Sequence, residues 1–354
     1  MVSLTKKRGK TMPRLDDFLR AAGETVKVDD EKENSKSTAD DPENAQNKDE
    51  DSQSNIDFDF YLREGKYTLD DVILPDQTKR QVDLILAEME YQELIYQEWG
   101  MADKHKLDKS LSINFSGPPG TGKTLTAEAL ALSLNLKILD VPYEQLESKY
   151  VGETPKNIQR AFEFATQNNA VLFFDEADSF LGKRLENVTQ ATDTAVNLTR
   201  SVMIKQLSIY AGIVVFATNL VRNYDPAFVS RIRWKVQFDL PNEEARQKIW
   251  QVQIPSQLPL DSSVNFTELA KEFDEISGRD IKNAVFQGVV AAAREDKLKA
   301  EKCVTQTHFS EAITEIIKAN KASLKPQLTL TPVEGDIPLP DAPSSLTDSE
   351  ISEQ

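Results

Sequence analysis

Cysteine is almost missing from this 354-residue chain; Cys303 is the only one. A lone thiol has no partner for a disulfide, which fits a reducing compartment. Histidine is nearly as scarce. His105 and His308 lack metal-ligand spacing, and without an H-E-x-x-H segment a zinc protease is excluded. Basic charge is in deficit: 42 Lys and Arg against 58 Asp and Glu leave −16. That balance disfavours nucleic acid or an anionic membrane as a general partner, while allowing a local basic patch. No apolar run approaches membrane-spanning length, so membrane insertion is not expected. The basic start (Lys6, Lys7, Arg8, Lys10) is not followed by the apolar stretch of a secretory signal. The expectation is a soluble, cytoplasmic protein, long enough for one large domain or two modest ones.

What is present falls into four regions. Residues 29–55 hold ten acids, three lysines and no aromatics, and residues 322–354 hold five prolines and six acids. Neither can bury enough apolar surface to offset the entropy of ordering. We therefore expect a disordered arm with an acidic linker over 1–55, an α/β domain over 56–241, a small all-helical domain over 242–321, and a disordered acidic, Pro-rich tail over 322–354. Within the arm, Leu15, Phe18 and Leu19 have the spacing of a short groove-docking helix, and equally that of a fluctuating tail with a few apolar residues.

Apolar strands predicted at 111–116, 137–141, 171–175, 213–218 and 235–238 alternate with amphipathic helices. This pattern implies an α/β fold, a parallel sheet with helices on both faces. Past Pro241 the apolar residues recur only at helical spacing, as in Ile281, Ala284, Val285, Gly288, Val289 and Ala292, and no strand is required.

Between the first strand and a helix expected over 124–134 lies Gly117-Pro118-Pro119-Gly120-Thr121-Gly122-Lys123-Thr124, which fits G-x-x-x-x-G-K-[ST]. Glycines let successive N–H groups turn inward as an anion nest, and the helix start adds partial positive charge. Lys123 is placed to reach β and γ phosphates and Thr124 to ligate Mg²⁺, and Leu125 closes the cradle. The strand before Asp175-Glu176 is wholly apolar. Asp175 suits the Mg²⁺ shell, and Glu176 suits polarising a water for in-line attack. Asn219, ending another buried strand, can contact a γ-phosphate oxygen and the attacking water, although Asn also commonly ends strands in turns.

Together with Trp99-Gly100-Met101, Phe173 to Asp178, Ala217-Thr218-Asn219 and Asp225-Pro226-Ala227-Phe228, this loop makes residues of about 67–320 resemble the AAA-type ATPases. The resemblance implies a RecA-like αβα P-loop domain followed by a small helical lid, ATP as nucleotide with Mg²⁺, and homo-oligomeric assembly into a ring, usually hexameric. By position it implies that Ile73 lies against the adenine. Arg231 would reach a neighbouring subunit's γ-phosphate, although Arg-Ile-Arg here leaves Arg233 as the other candidate. Arg279 would act as a cis sensor, and Tyr150 would face a central pore and grip polypeptide. The second pore region, 187–197, departs from the family's Asp-Arg pattern because Thr194 follows Asp193.

The expected function is Mg²⁺-dependent ATP hydrolysis driving remodelling, unfolding or disassembly of a protein substrate, reached directly or through an adaptor. Two alternatives stay open, a DNA-associated loader or switch and an ATP-binding scaffold without turnover.

Overall fold

The computed structural model describes residues 60–104, 110–142, 146, 153–178, 191–219 and 224–323. The N-terminal arm, Tyr150, residues 187–190 of the second pore region and residues 324–354 lie outside the described residues. Six strands form one sheet: β1 (Leu62–Arg63), β2 (Leu111–Ser116), β3 (Lys137–Asp140), β4 (Ala170–Phe174), β5 (Ile213–Thr218) and β6 (Trp234–Gln237), in the order β1-β3-β4-β5-β2-β6. Apart from β1, which pairs antiparallel with β3, the pairs are parallel. Strand β2 lies between β5 and β6, with Ser116 beside Thr218 and Gln237. The strand order therefore reverses at β2, and the crevice beyond the carboxyl ends of such strands is where open α/β sheets bind ligands.

Alternation along the strands divides the core. Phe173, Val215 and Ala217 join one apolar cluster with Ile113 and Phe115, whereas Phe174, Val214 and Phe216 join another with Leu139 and Phe228. The flanking helices are α1 (Asp76–Glu90), α2 (Lys123–Ser133), α3 (Glu153–Gln167) and α4 (Ala191–Ile209). Strand β2 differs from its neighbours, because alternate positions Ser112, Asn114 and Ser116 are polar and buried. Each is hydrogen-bonded, Ser112 Oγ donating to Arg231 O at 2.6 Å and Ser116 Oγ to Gln237 Oε1 at 3.0 Å, while Asn114 Oδ1 accepts from Tyr224 OH at 3.4 Å.

After the sheet the chain is helical, with α5 (Glu243–Val252), α6 (Phe266–Glu272), α7 (Gly278–Arg294) and α8 (Gln306–Ser323). A separate cluster, including Trp250, Leu269, Ile281 and Phe309, holds them together, and the Trp250 and Phe309 rings lie 5.6 Å apart. Asn242, Asn265 and Ser277 cap α5, α6 and α7 with their side chains.

Several expectations need adjusting. The predicted strands are shifted by a residue at some ends, so Asp175 sits in the turn after β4. Helix α3 begins at Glu153, which leaves Pro155 in the first turn, where its missing N–H is harmless. Past Pro241 the named elements are helical, and a parallel bridge outside any strand joins Leu260 to Val304. Strand β1 was not anticipated. Arg63 fastens it with ion pairs to Glu128 on α2 (2.7 Å) and Asp140 on β3 (3.2 Å). Among the described residues no helix is long and apolar enough to cross a membrane.

Candidate active site

The loop after β2 bends where only glycine fits. Gly117 has φ +148°, and an added Cβ would run into the Phe238 carbonyl. Gly120, at φ +78°, lies so close to the start of α7 that a Cβ would come within 2.5 Å of Ser277 Oγ. Its carbonyl accepts from Arg279 N at 3.2 Å, so the loop and α7 are joined main chain to main chain. Gly122 is the N-cap of α2 at φ +100°. Nothing crowds it, and its requirement for glycine is conformational.

Lys123, 7% exposed, opens α2 and turns back over the loop. Its ammonium donates to Gly117 O (2.8 Å), Pro118 O (2.9 Å) and Asn219 Oδ1 (2.8 Å). Burial pushes its pKa down to about 8; the Asp175 carboxylate opposes that shift and Arg279 adds to it. Each of its three acceptors is neutral, so an incoming anion would be a stronger partner than any of them.

Thr124 Oγ1 donates to Asp175 Oδ2 at 3.0 Å, which brings the loop's hydroxyl against the carboxylate ending β4. Asp175 Oδ1 accepts from Glu176 N at 2.9 Å, and Ala177 N donates to Ala217 O at 2.9 Å. Between these anchors Glu176 is held at φ +51°, a left-handed conformation uncommon for glutamate, with its side chain exposed. Such strain persists where the surroundings over-determine it, often at functional sites. Asp178 instead accepts from Thr218 Oγ1 at 3.0 Å, which braces the turn against β5.

These groups line a cleft of about 530 Å³, a size typical for small-molecule sites. Its polar lining includes Lys123, Thr124, Asp175, Glu176, Asn219 and Arg279; its apolar lining includes Val72, Ile73, Pro75, Leu125, Ile249 and Val252. Pro119, Gly120, Thr121 and Gly122 also border it. The sequence-predicted cradle, acids, amide, Ile73 and Arg279 thus meet in one place. Arg231 and Arg233 are not part of this lining. Sequence reasoning missed Asp239, Pro241, Ile249, Val252, Gln253 and Lys282, which complete the cleft from β6's exit and the helices beyond. Their only signal was position after the last strand, where the chain must turn back over the sheet.

Residues 113–240 match the sequence profile of the ATPase family associated with various cellular activities, AAA. That segment is AAA-type in sequence. The match spans β2 to the exit of β6, and so includes the loop, Asp175-Glu176 and Asn219. The chain is 33% identical to 26S proteasome regulatory subunit 6A of Schizosaccharomyces pombe over 207 residues, 56% of this chain and 46% of that protein. It is 29% identical to a probable 26S proteasome regulatory subunit 4 of Caenorhabditis elegans over 261 residues, 72% and 55% of the two chains. With subunit 6A of Saccharomyces cerevisiae it shares 32% over 207 residues, 56% and 46%. The chain spans about half the length of the curated relatives it matches.

Proposed function

We propose that this chain hydrolyses ATP with Mg²⁺, works as a homo-oligomeric ring, and uses turnover to remodel, unfold or disassemble protein partners. The observation that carries the catalytic part is the arrangement of Thr124, Asp175 and Glu176. A hydroxyl and a carboxylate stand 3.0 Å apart beside the phosphate loop, next to a glutamate held in a left-handed turn. Two hard oxygen donors fit Mg²⁺, which keeps waters and phosphate oxygens for the rest of its shell. Bound there, it would neutralise charge on the phosphate oxygens.

The chain's own groups divide the work. Lys123 exchanges its neutral acceptors for β- and γ-phosphate oxygens. Glu176, exposed to the cleft, takes the proton of the attacking water, and Asn219 orients that water. Arg279, whose backbone already touches Gly120, senses the γ-phosphate in cis, and Ile73 packs on the adenine. Arg231 completes the site of an adjacent subunit in trans. Tyr150 grips polypeptide in a pore, and six subunits close the ring. The protein-directed part of the reading is supported by similarity to proteasome regulatory subunits and by the acidic balance, which disfavours a nucleic-acid partner.

The reading is tested with Glu176→Gln. ATP binding persists and turnover is lost, and the trapped form retains protein partners in a pull-down repeated without residues 1–55. Normal turnover by that variant would remove Glu176 from its role. In the wild-type chain, ATPase rate per subunit rises with concentration across the assembly range; a flat rate would argue against a shared site.

A further inference from the structure

Arg231 and Arg233 stand one residue apart with equal charge, and their surroundings differ. The Arg233 guanidinium pairs with the Glu88 carboxylate and donates to Tyr96 OH at 2.5 Å. Glu88, 8% exposed, also accepts from Tyr96 OH and from Trp234 Nε1, each at 2.6 Å. The same guanidinium lies 5.9 Å from the centre of the Tyr96 ring. Burial, reinforced by Glu88, pushes the Tyr96 phenol pKa up, so it remains a donor to the carboxylate. Glu88 thus ties α1 and the short helical segment Leu94–Glu98 after it to the start of β6.

Among the described residues the Arg231 guanidinium meets only neutral oxygens, donating from Nε to Ser208 Oγ at 2.9 Å and from NH1 to Ala227 O at 2.7 Å. Its backbone is nonetheless fixed. Ser112 Oγ donates to Arg231 O at 2.6 Å and accepts from Arg233 N at 3.1 Å. An anion arriving at this edge would gain a charge-assisted bond from Arg231 in exchange for two neutral ones. Drawing Arg233 away would strip a nearly buried carboxylate of its counter-ion, a costly change.

We infer that Glu88 is a positioning residue: it commits Arg233 to the fold, and so leaves Arg231 as the arginine that this subunit presents to its neighbour. The inference rests on the shared-site reading above and adds the residue that decides between the two arginines.

The test uses the full chain in mixtures of two variants. Lys123→Ala has no working phosphate loop but keeps its arginine; Arg231→Ala keeps its loop and lacks the arginine. Arg231→Ala alone loses turnover by about 10³- to 10⁵-fold. Each variant is inactive by itself, and mixing restores ATPase activity. Glu88→Gln added to the Lys123→Ala subunit lowers the restored kcat by roughly 10- to 10²-fold, with KM for ATP unchanged. Added instead to the Arg231→Ala subunit, it has no arginine to position and the restored rate holds. Tyr96→Phe gives the same pattern with a smaller fall, and replaces Glu88→Gln if that variant does not fold. A purely structural role would lower the rate from either subunit and would overturn the inference. So would Arg233→Ala proving inactive alone and restored by Lys123→Ala, with Arg231→Ala still hydrolysing alone. If the wild type hydrolyses ATP and no mixture regains activity, the shared-site reading falls first and the inference with it.

Discussion

At the C-terminal end of β2 the chain runs through Gly117, Gly120 and Gly122 at positive φ, faces Glu176 in a left-handed turn, and buries an ammonium among neutral acceptors. At the N-terminal end of the same strand, Ser112 joins residues 231 and 233 by ordinary hydrogen bonds, and the nearby Arg233 charge is answered by Glu88. One end keeps strain and an ammonium bonded only to neutral acceptors; at the other, Arg233 is neutralised and braced, while Arg231 beside it rests on neutral oxygens. The difference separates a cradle shaped by its own backbone from an edge where one arginine is committed to the fold and its neighbour is not.

Substitutions can break this contrast, beginning with the largest effect. At the strained end, Glu176→Gln should reduce turnover by about 10²- to 10⁴-fold with unfolding free energy nearly unchanged, as measured by steady-state hydrolysis beside urea melts. At the braced end, Glu88→Ala should lower stability by about 2–3 kcal/mol, below the full range for a buried pair because Arg233 is partly exposed. Urea denaturation of the ATP-free chain reads that value, and an unchanged midpoint would reduce the network to decoration. Gly122→Ala meets no crowding, so only its φ of +100° resists, and the expected loss is about 1–2 kcal/mol.

The smallest effect concerns protons. The Lys123 pKa is lowered from 10.5 to about 8 in the folded chain, so the unfolded chain binds more protons between those values. This group therefore favours folding progressively as pH rises from about 8 toward 10.5 in the nucleotide-free protein, and below 8 it does not. Phosphate contact would raise the pKa again. Near pH 8, ATP binding should take up a fraction of a proton, seen as a buffer-dependent calorimetric enthalpy. Lys123→Met should abolish that dependence; its persistence would assign the proton elsewhere.

The parts of the site that were legible in the sequence are those whose chemistry is local. Gly117 to Thr124 is read from spacing because its backbone shape depends on its own glycines, and Asp175-Glu176 from the apolar strand immediately before it. Local pattern could not reveal that Glu176 turns left-handed, since that follows from Asp175 and Ala217 holding its two sides. Nor could it pair Glu88 with Arg233, 145 positions apart, or bring Gln253 and Lys282 to the cleft. The two-residue β1 has too little sequence to carry a period, and Arg63 makes it a strand by gripping Glu128 and Asp140. In general, contacts that cross the fold depend on topology, which a linear pattern records only as element order.

The bond from Arg279 N to Gly120 O gives α7 the character of a lever. It is a helix of 17 residues, about 25 Å long, with its first turn resting on the phosphate loop. A tilt of about 5° at that fulcrum carries the far end through roughly 2 Å. Because Gly120 and Ser277 are too close for even a methyl group between them, the joint has little slack to absorb such a tilt. Displacement at the loop is thus passed along the helix magnified rather than lost at its root.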